Sequence, residues 1–187
     1  EKRGALDMAA RLAQLMSQIF KYAISTGAIK YNPIPDLIGA LKPRVKGHHA
    51  AIGTDELPAF LASLTRNSAE MYFPTRILMR LMLLVFVRTS ELIETPWEEI
   101  DLINESWVIP WQRMKMGKRK SKPRKLDHHV NLPSQGWALL RELHKITGGG
   151  KYLFPNRSDH ERPASNGVIL QALKRMGYAG KHTGHGF

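Results

Sequence analysis

Apolar positions along the chain recur with a helical period over most of its length and with strand character in one region. Leu12, Met16, Ile19 and Ala23 follow one another at spacings of 4, 3 and 4, which puts them on one face of a helix predicted over residues 5–26. Gly27 is its stop signal, and "YNPIP" interrupts any continuation, because proline lacks an amide hydrogen and restricts the residue before it. A short apolar turn is expected at Leu37 to Leu41. Thr54 or Asp55 is the expected cap of a helix running to about Leu64. "ILMRLMLLVFV", Ile77 to Val87, is apolar at ten of eleven positions and predicts a helix buried on all sides.

The pattern then changes. "PWEEIDLINESWVIP" has strand character, with β-favouring Trp107, Val108 and Ile109 and a turn at "INES"; "HHVNLP" is a second strand candidate. Together they predict a hairpin or small antiparallel sheet. Helical spacing returns through Trp137, Leu140 and Leu143 and ends at "TGGG". A last amphipathic helix covers Asn166 to Met176, with Val168, Ile169, Ala172, Leu173 and Met176 inward. No internal repeat is visible. The fold class is therefore mainly α with a small antiparallel β-sheet (α+β).

Composition adds domain organisation and a partner class. The chain has 187 residues, of which 43% are apolar, so a proper core is available. There is no cysteine, which excludes a disulfide scaffold and a thiolate metal site. No apolar run reaches the roughly 20 residues a membrane span needs. "KPRVKGHHAAIG" is basic, lacks periodicity and reads as a linker. The expected organisation is a first helical unit at 1–43, a linker at 44–53 and a second unit at 54–187. A net charge of +12 favours a polyanionic partner, nucleic acid above all.

Three groups of residues could carry chemistry. Arg88 directly follows the most apolar segment, and Glu91 lies three residues on, on the same face if the helix continues. An arginine at a helix end usually snorkels to solvent. A buried one with an acidic orienter instead suits a phosphate, which the planar guanidinium binds through two hydrogen bonds. From Arg113 to Lys125, eight of thirteen residues are basic and none is acidic: Arg113, Lys115, Lys118, Arg119, Lys120, Lys122, Arg124 and Lys125. Most such runs are merely solvated, but this one joins two strand candidates and would project as a basic finger onto phosphates. Lys115 lies nearest the end of the "WVIPW" strand, where the sheet would hold it as a proton donor or phosphate contact. The histidines show no convincing metal spacing. His182 and His185, three apart in the terminal "KHTGHGF", are weak evidence alone.

In order along the chain, "LMLLVFVRTSELIETPWEEIDL", "WVIPWQRMK" with "HHVNLP", and "YLFPNRSDHERPASNGVILQALKRMGYAGKHTGHGF" resemble three parts of the tyrosine recombinases, the phage-integrase family, with a texture nearest to integrases of genomic islands and satellite phages. They resemble its first-arginine box, its lysine-bearing hairpin and the segment leading into its His-x-x-Arg box. Residues 1–43 resemble the end of the family's helical core-binding domain, and 54–187 its catalytic domain. The resemblance implies that Arg88 is the first arginine of the site, Glu91 its orienting acid, Lys115 the hairpin lysine and His185 the histidine of His-x-x-Arg. The basic loop is longer than the family's usual turn, so Lys118 stays a second choice for the hairpin lysine. The family's second arginine would follow Phe187 directly, with its tyrosine nucleophile further on.

The resemblance implies a recombinase that cleaves and rejoins double-stranded DNA at attachment sites through a phosphotyrosine link, without metal or other cofactor. Arg113, Lys118, Arg119, Lys120, Lys122, Arg124 and Lys125 would contact the backbone. It implies a homotetramer on DNA, a monomeric free fragment, an accessory directionality factor and action in the bacterial cytoplasm at the nucleoid. As it stands, the fragment is expected to bind DNA without cutting it. The competing readings are a non-catalytic integrase remnant, which the chain as it stands also fits, and a basic RNA-binding protein, which does not explain Arg88 paired with Glu91; type IB topoisomerases share the site chemistry, but the hairpin and the segment before the His-x-x-Arg box favour the integrases.

Overall fold

The computed structural model describes residues 5–41, 50–114, 125–184 and 186–187, with the side chains of 38–40 and 69 outside that description. The chain divides into two compact units, Glu1–His48 and His49–Phe187. The first holds two helices, α1 (Leu6–Ser25) and α2 (Ile34–Ala40), packed on each other. α1 ends where expected. Thr26 is its C-cap, Gly27 takes φ 75°, and the amides of Gly27 and Ala28 close onto the carbonyls of Ile24 and Ala23. This paired closure needs a residue in the left-handed region, which glycine adopts without strain.

Two expectations for this unit change. The stripe Leu12, Met16 and Ile19 is exposed, and no residue of α1 is fully buried. The partly covered side is instead Ala9, Ala13, Ser17, Phe20 and Ala23. Small residues let α2 approach closely there, and Asn32 donates to Ser17 Oγ at 3.0 Å. The segment expected as an apolar turn is the helix α2. Asn32 Oδ1 accepts the Ile34 amide at 3.0 Å, so "NPIP" starts a helix as well as breaking one.

The second unit is built around α4 (Phe73–Met82), which packs against α5 (Thr89–Ile93), α6 (Ser134–Thr147) and α7 (Gly167–Arg175). Ile77, Leu78, Met79, Leu81 and Met82 of α4 are buried. The apolar run is therefore only half helical: α4 stops at Met82, and Leu83 to Val87 form a turn with Val85 buried and Phe86 fully exposed. A core on both sides of a turn keeps the composition apolar while the chain reverses, so periodicity could not mark the stop. α3 (Leu57–Arg66) is capped at Glu56 rather than at Thr54 or Asp55, with the Glu56 carboxylate accepting the Gly53 amide at 3.2 Å. Its Phe60, fully buried, meets Tyr178, His182 and Phe187 edge-on at 5.0, 5.4 and 5.9 Å.

A three-stranded antiparallel sheet, β1 (Ile100–Asp101), β2 (Ser106–Ile109) and β3 (His128–His129), covers one side. The turn between β1 and β2 is set by Asp101, whose Oδ1 accepts the amides of Ile103 and Asn104 at 2.9 Å each. β2 buries Trp107 and Ile109, and Ile109 pairs with His128 while Val108 pairs with His129. Directly opposed residues share a face, so His128 lies on the core side at its edge and His129 on the other. The observed class is mainly α with a small antiparallel sheet, as the sequence predicts.

All four tryptophans lie in the second unit, so their fluorescence reports its unfolding. Phe60→Ala should destabilise that unit by about 3–5 kcal/mol, because it empties a closed aromatic contact. Urea denaturation followed by tryptophan emission measures this, and a loss below about 1 kcal/mol would show that the cluster relaxes into the space.

Candidate active site

Arg88 does not extend the helix before it. It is the N-cap of a new one, α5, with extended backbone at φ −65° and ψ 145°. Glu91, in the first turn of α5, reaches back so that Oε2 accepts the Arg88 amide at 3.1 Å and Oε1 accepts Arg88 Nη1 at 2.8 Å. One carboxylate thus closes the helix start and aims the guanidinium. The Glu91 side chain is 8% exposed and that of Arg88 48% exposed. Arg88 is therefore half exposed, beside an acid that is buried. A buried acid holds its Nη1, and the residue opens onto a cleft of about 360 Å³ lined by Val85, Phe86, Glu91, Met114, His128 and Phe187, among others. Such a guanidinium keeps free donors for an anion.

The terminal segment is laced to this cleft rather than frayed. Thr89 Oγ1 donates to the Gly184 carbonyl at 3.3 Å, one residue from Arg88. Thr183 Oγ1 donates to the Ala50 carbonyl at 3.3 Å, and His182 Nδ1 accepts the Ile52 amide at 3.2 Å. A Cβ at Gly186 would lie 2.8 Å from the Ala50 carbonyl, so the close approach requires glycine there. Gly184 and Phe187 line the cleft; His185 between them lies outside the described residues. His182 is buried, ring to ring with Phe187 at 4.4 Å, and burial lowers its pKa. With Nδ1 accepting, the neutral ring carries its proton on Nε2, which has no partner among the described residues. His182 thus anchors the tail.

The hairpin base supplies the third side. The Trp111 amide donates to Asp127 Oδ1 at 2.9 Å across the loop entrance. Lys115, Lys118, Arg119, Lys120, Lys122 and Arg124 lie outside the described residues. Met114, directly before Lys115, lines the cleft, and exposed Lys125 sits over the Trp111 ring at 5.9 Å. Arg113 departs from its expected place in the basic run. Its side chain is 17% exposed and forms a two-pronged ion pair with Glu99, at 2.6 Å for each bond. Those donors are turned inward, toward Glu99 and not toward solvent. His128, which the sequence gave no role, lines the cleft with Arg88. The register of "HHVNLP" against "WVI" is the signal that could have separated it from His129. Among the described residues no group of histidines and acids could hold a metal ion.

Comparison with known proteins places this geometry. Residues 51–187 match the phage integrase family and residues 1–40 the phage integrase central domain. The chain is 37% identical over 190 residues to the integrase of Enterobacteria phage P4, covering 98% of this chain and 43% of that protein. It is 35% identical over 187 residues to prophage integrase IntZ of Escherichia coli K12, covering 100% and 44%. The chain thus spans less than half the length of these curated relatives. Its fold is that of the Tn1549 transposon integrase solved with circular intermediate DNA, at TM-score 0.65 and 13% identity, covering 94% of this chain and 58% of that one.

The anchoring by His182 has a pH signature. Its folded pKa is below the ordinary value near 6.5, so the unfolded chain binds the extra proton more readily. The stability His182 supplies is therefore full above about pH 6.5 and is lost as pH falls from there through its folded pKa. His182→Phe keeps an aromatic ring and removes the titration. Its stability relative to the parent should rise between about pH 7.5 and pH 5.5 in matched urea melts. Parallel curves would mean that His182 does not titrate on unfolding.

Proposed function

The chain belongs to the phage integrase family, and on that premise we propose that the protein carrying it is a site-specific recombinase that cuts and rejoins duplex DNA through a phosphotyrosine link. The observation that carries this reading is Arg88, held from behind by buried Glu91 and open in front to a cleft. Residues 1–43 are then the end of a core-binding domain and 54–187 part of the catalytic domain. Integrases among the relatives and a DNA-bound integrase of the same fold support DNA as the substrate.

In the proposed reaction a tyrosine supplied by the full-length protein attacks the scissile phosphorus and the 5′ oxygen leaves. A 5′ hydroxyl of another strand later attacks the phosphotyrosine and releases the tyrosine, so the bond energy is conserved. Charge grows on the non-bridging oxygens as phosphorus passes through five-coordination. Preorganised donors aimed at those oxygens lower the barrier, and Arg88 is one of them. Glu91 keeps Arg88 in place at no cost during the reaction. Lys115, or Lys118 in its stead, protonates the leaving oxygen. His185, whose neighbours line the cleft, contacts the phosphate or assists the proton. The remaining lysines and arginines of the basic loop hold the backbone of the duplex by charge. The working assembly is a tetramer on DNA in the bacterial cytoplasm, with an accessory factor setting direction.

In the full-length protein Arg88→Ala should lower the rate of covalent adduct formation on a nicked suicide substrate by at least about a hundredfold while largely sparing DNA binding. Cleavage at the parent rate would remove Arg88 from the site. Replacing Lys118, Lys120 and Lys122 together should weaken binding to all duplexes alike. Each lost phosphate contact should flatten the log–log salt dependence by about 0.9. An unchanged slope would mean that the loop does not touch the backbone.

A further inference from the structure

Helix α5, capped by Arg88 and containing Glu91, has only five residues, Thr89–Ile93. A single turn of helix does not hold itself, since nucleation fixes several residues for one hydrogen bond. Its N-terminus is closed by the Glu91 carboxylate. Its C-terminal carbonyls need partners from outside. The backbone carbonyl of Glu91 finds two: Thr95 Oγ1 donates to it at 2.7 Å and Arg113 Nη1 at 2.7 Å. Arg113 Nη2 also donates to Thr95 Oγ1 at 3.2 Å. Thr95 is fully buried. The same guanidinium is held on its other edge by both oxygens of Glu99, whose carboxylate is itself shut away from water.

We infer that Arg113 is a positioning residue for the phosphate-binding arginine. It acts on Glu91 through the main chain, pinning the residue whose side chain aims Arg88. The path is short and continuous: Glu99 fixes the Arg113 plane, Arg113 and Thr95 fix the Glu91 carbonyl, and the Glu91 carboxylate fixes Arg88. A cation at the end of α5 also suits the partial negative charge of that terminus. The planar fork matters as much as the charge, because four bonds leave three nitrogens in fixed directions. Lysine would keep the charge and lose that geometry. Arg113 also joins two parts of the cleft that are distant in sequence. It sits in the turn after β2, just before Met114, a cleft residue, and its guanidinium ends at the Glu91 carbonyl of α5.

This inference rests on the reading of Arg88 as the donor to the scissile phosphate, and the test separates the two. Full-length protein is assayed for covalent adduct on a nicked attachment-site duplex carrying either an ordinary scissile phosphate or a neutral methylphosphonate. The methylphosphonate lacks one anionic oxygen and so depends less on Arg88. Arg113→Ala and Arg113→Lys should both form adduct about 10- to 100-fold more slowly on the phosphate, because small misplacement of a donor is costly. Their DNA affinity should stay near that of the parent. On the methylphosphonate their deficit should shrink, in parallel with that of Arg88→Ala. Thr95→Val removes one acceptor of the guanidinium with little change of volume and should show the same contraction from a smaller deficit. It serves as the readout if the Arg113 variants fold poorly. A deficit of equal size on both substrates would reduce Arg113 to a structural residue and overturn the inference. So would Arg113→Lys working at the parent rate. If Arg88→Ala itself cleaves the phosphate normally, it is the reading of Arg88 that falls.

Discussion

The candidate site depends on one buried carboxylate. Glu91 closes the start of α5 through the Arg88 amide and holds the Arg88 guanidinium with its other oxygen. A buried carboxylate is costly unless its oxygens are occupied. Here the compensation comes from the groups it must orient. The outer face of Arg88 stays in water, where it can meet a phosphate. Removing the acid would leave a free, mobile arginine, and removing the arginine would leave an unpaired buried charge. The two residues form one unit of structure before they form a unit of chemistry.

Around that unit the fold brings together three segments far apart in sequence. The turn after α4 delivers Arg88. The hairpin base delivers Met114, His128 and the inward Arg113. The terminal segment is stitched to Thr89, Ala50 and Ile52. Phe60 underlies the last of these, in contact with His182 and Phe187. The anchors differ in kind: hydrogen bonds to main chain at the tail, an ion pair at the hairpin, and aromatic packing beneath. None of them uses the exposed donors of Arg88.

Much of this was legible in the sequence, and the failures have physical reasons. Periodicity located α1, α6 and α7 because each has polar and apolar sides. It could not end α4, because Leu83 to Val87 stay apolar through a turn that is itself packed against the core. It did not mark the covered side of α1, where Ala9, Ala13, Ser17 and Phe20 are partly covered while Leu12, Met16 and Ile19 are exposed. The Arg88–Glu91 pair was visible from spacing, but as a helix-face pair; the helix start it forms was not. Arg113 was hidden inside a basic run. Charge counting treats all members of such a run alike, whereas Glu99 and the end of α5 single one out and turn it inward. His128 has no metal spacing to mark it, and only the strand register against Ile109 separates it from His129.

On the proposed reading, Glu91 turns an ordinary surface arginine into a phosphate-binding one. The most direct test of that reading is the rate of covalent protein–DNA adduct formation by full-length Glu91→Gln, measured at saturating nicked substrate. Glutamine keeps the shape and one acceptor but loses the charge that holds the guanidinium. That rate should fall clearly, by roughly tenfold or more, with DNA affinity near that of the parent. Adduct formation at the parent rate would contradict the reading.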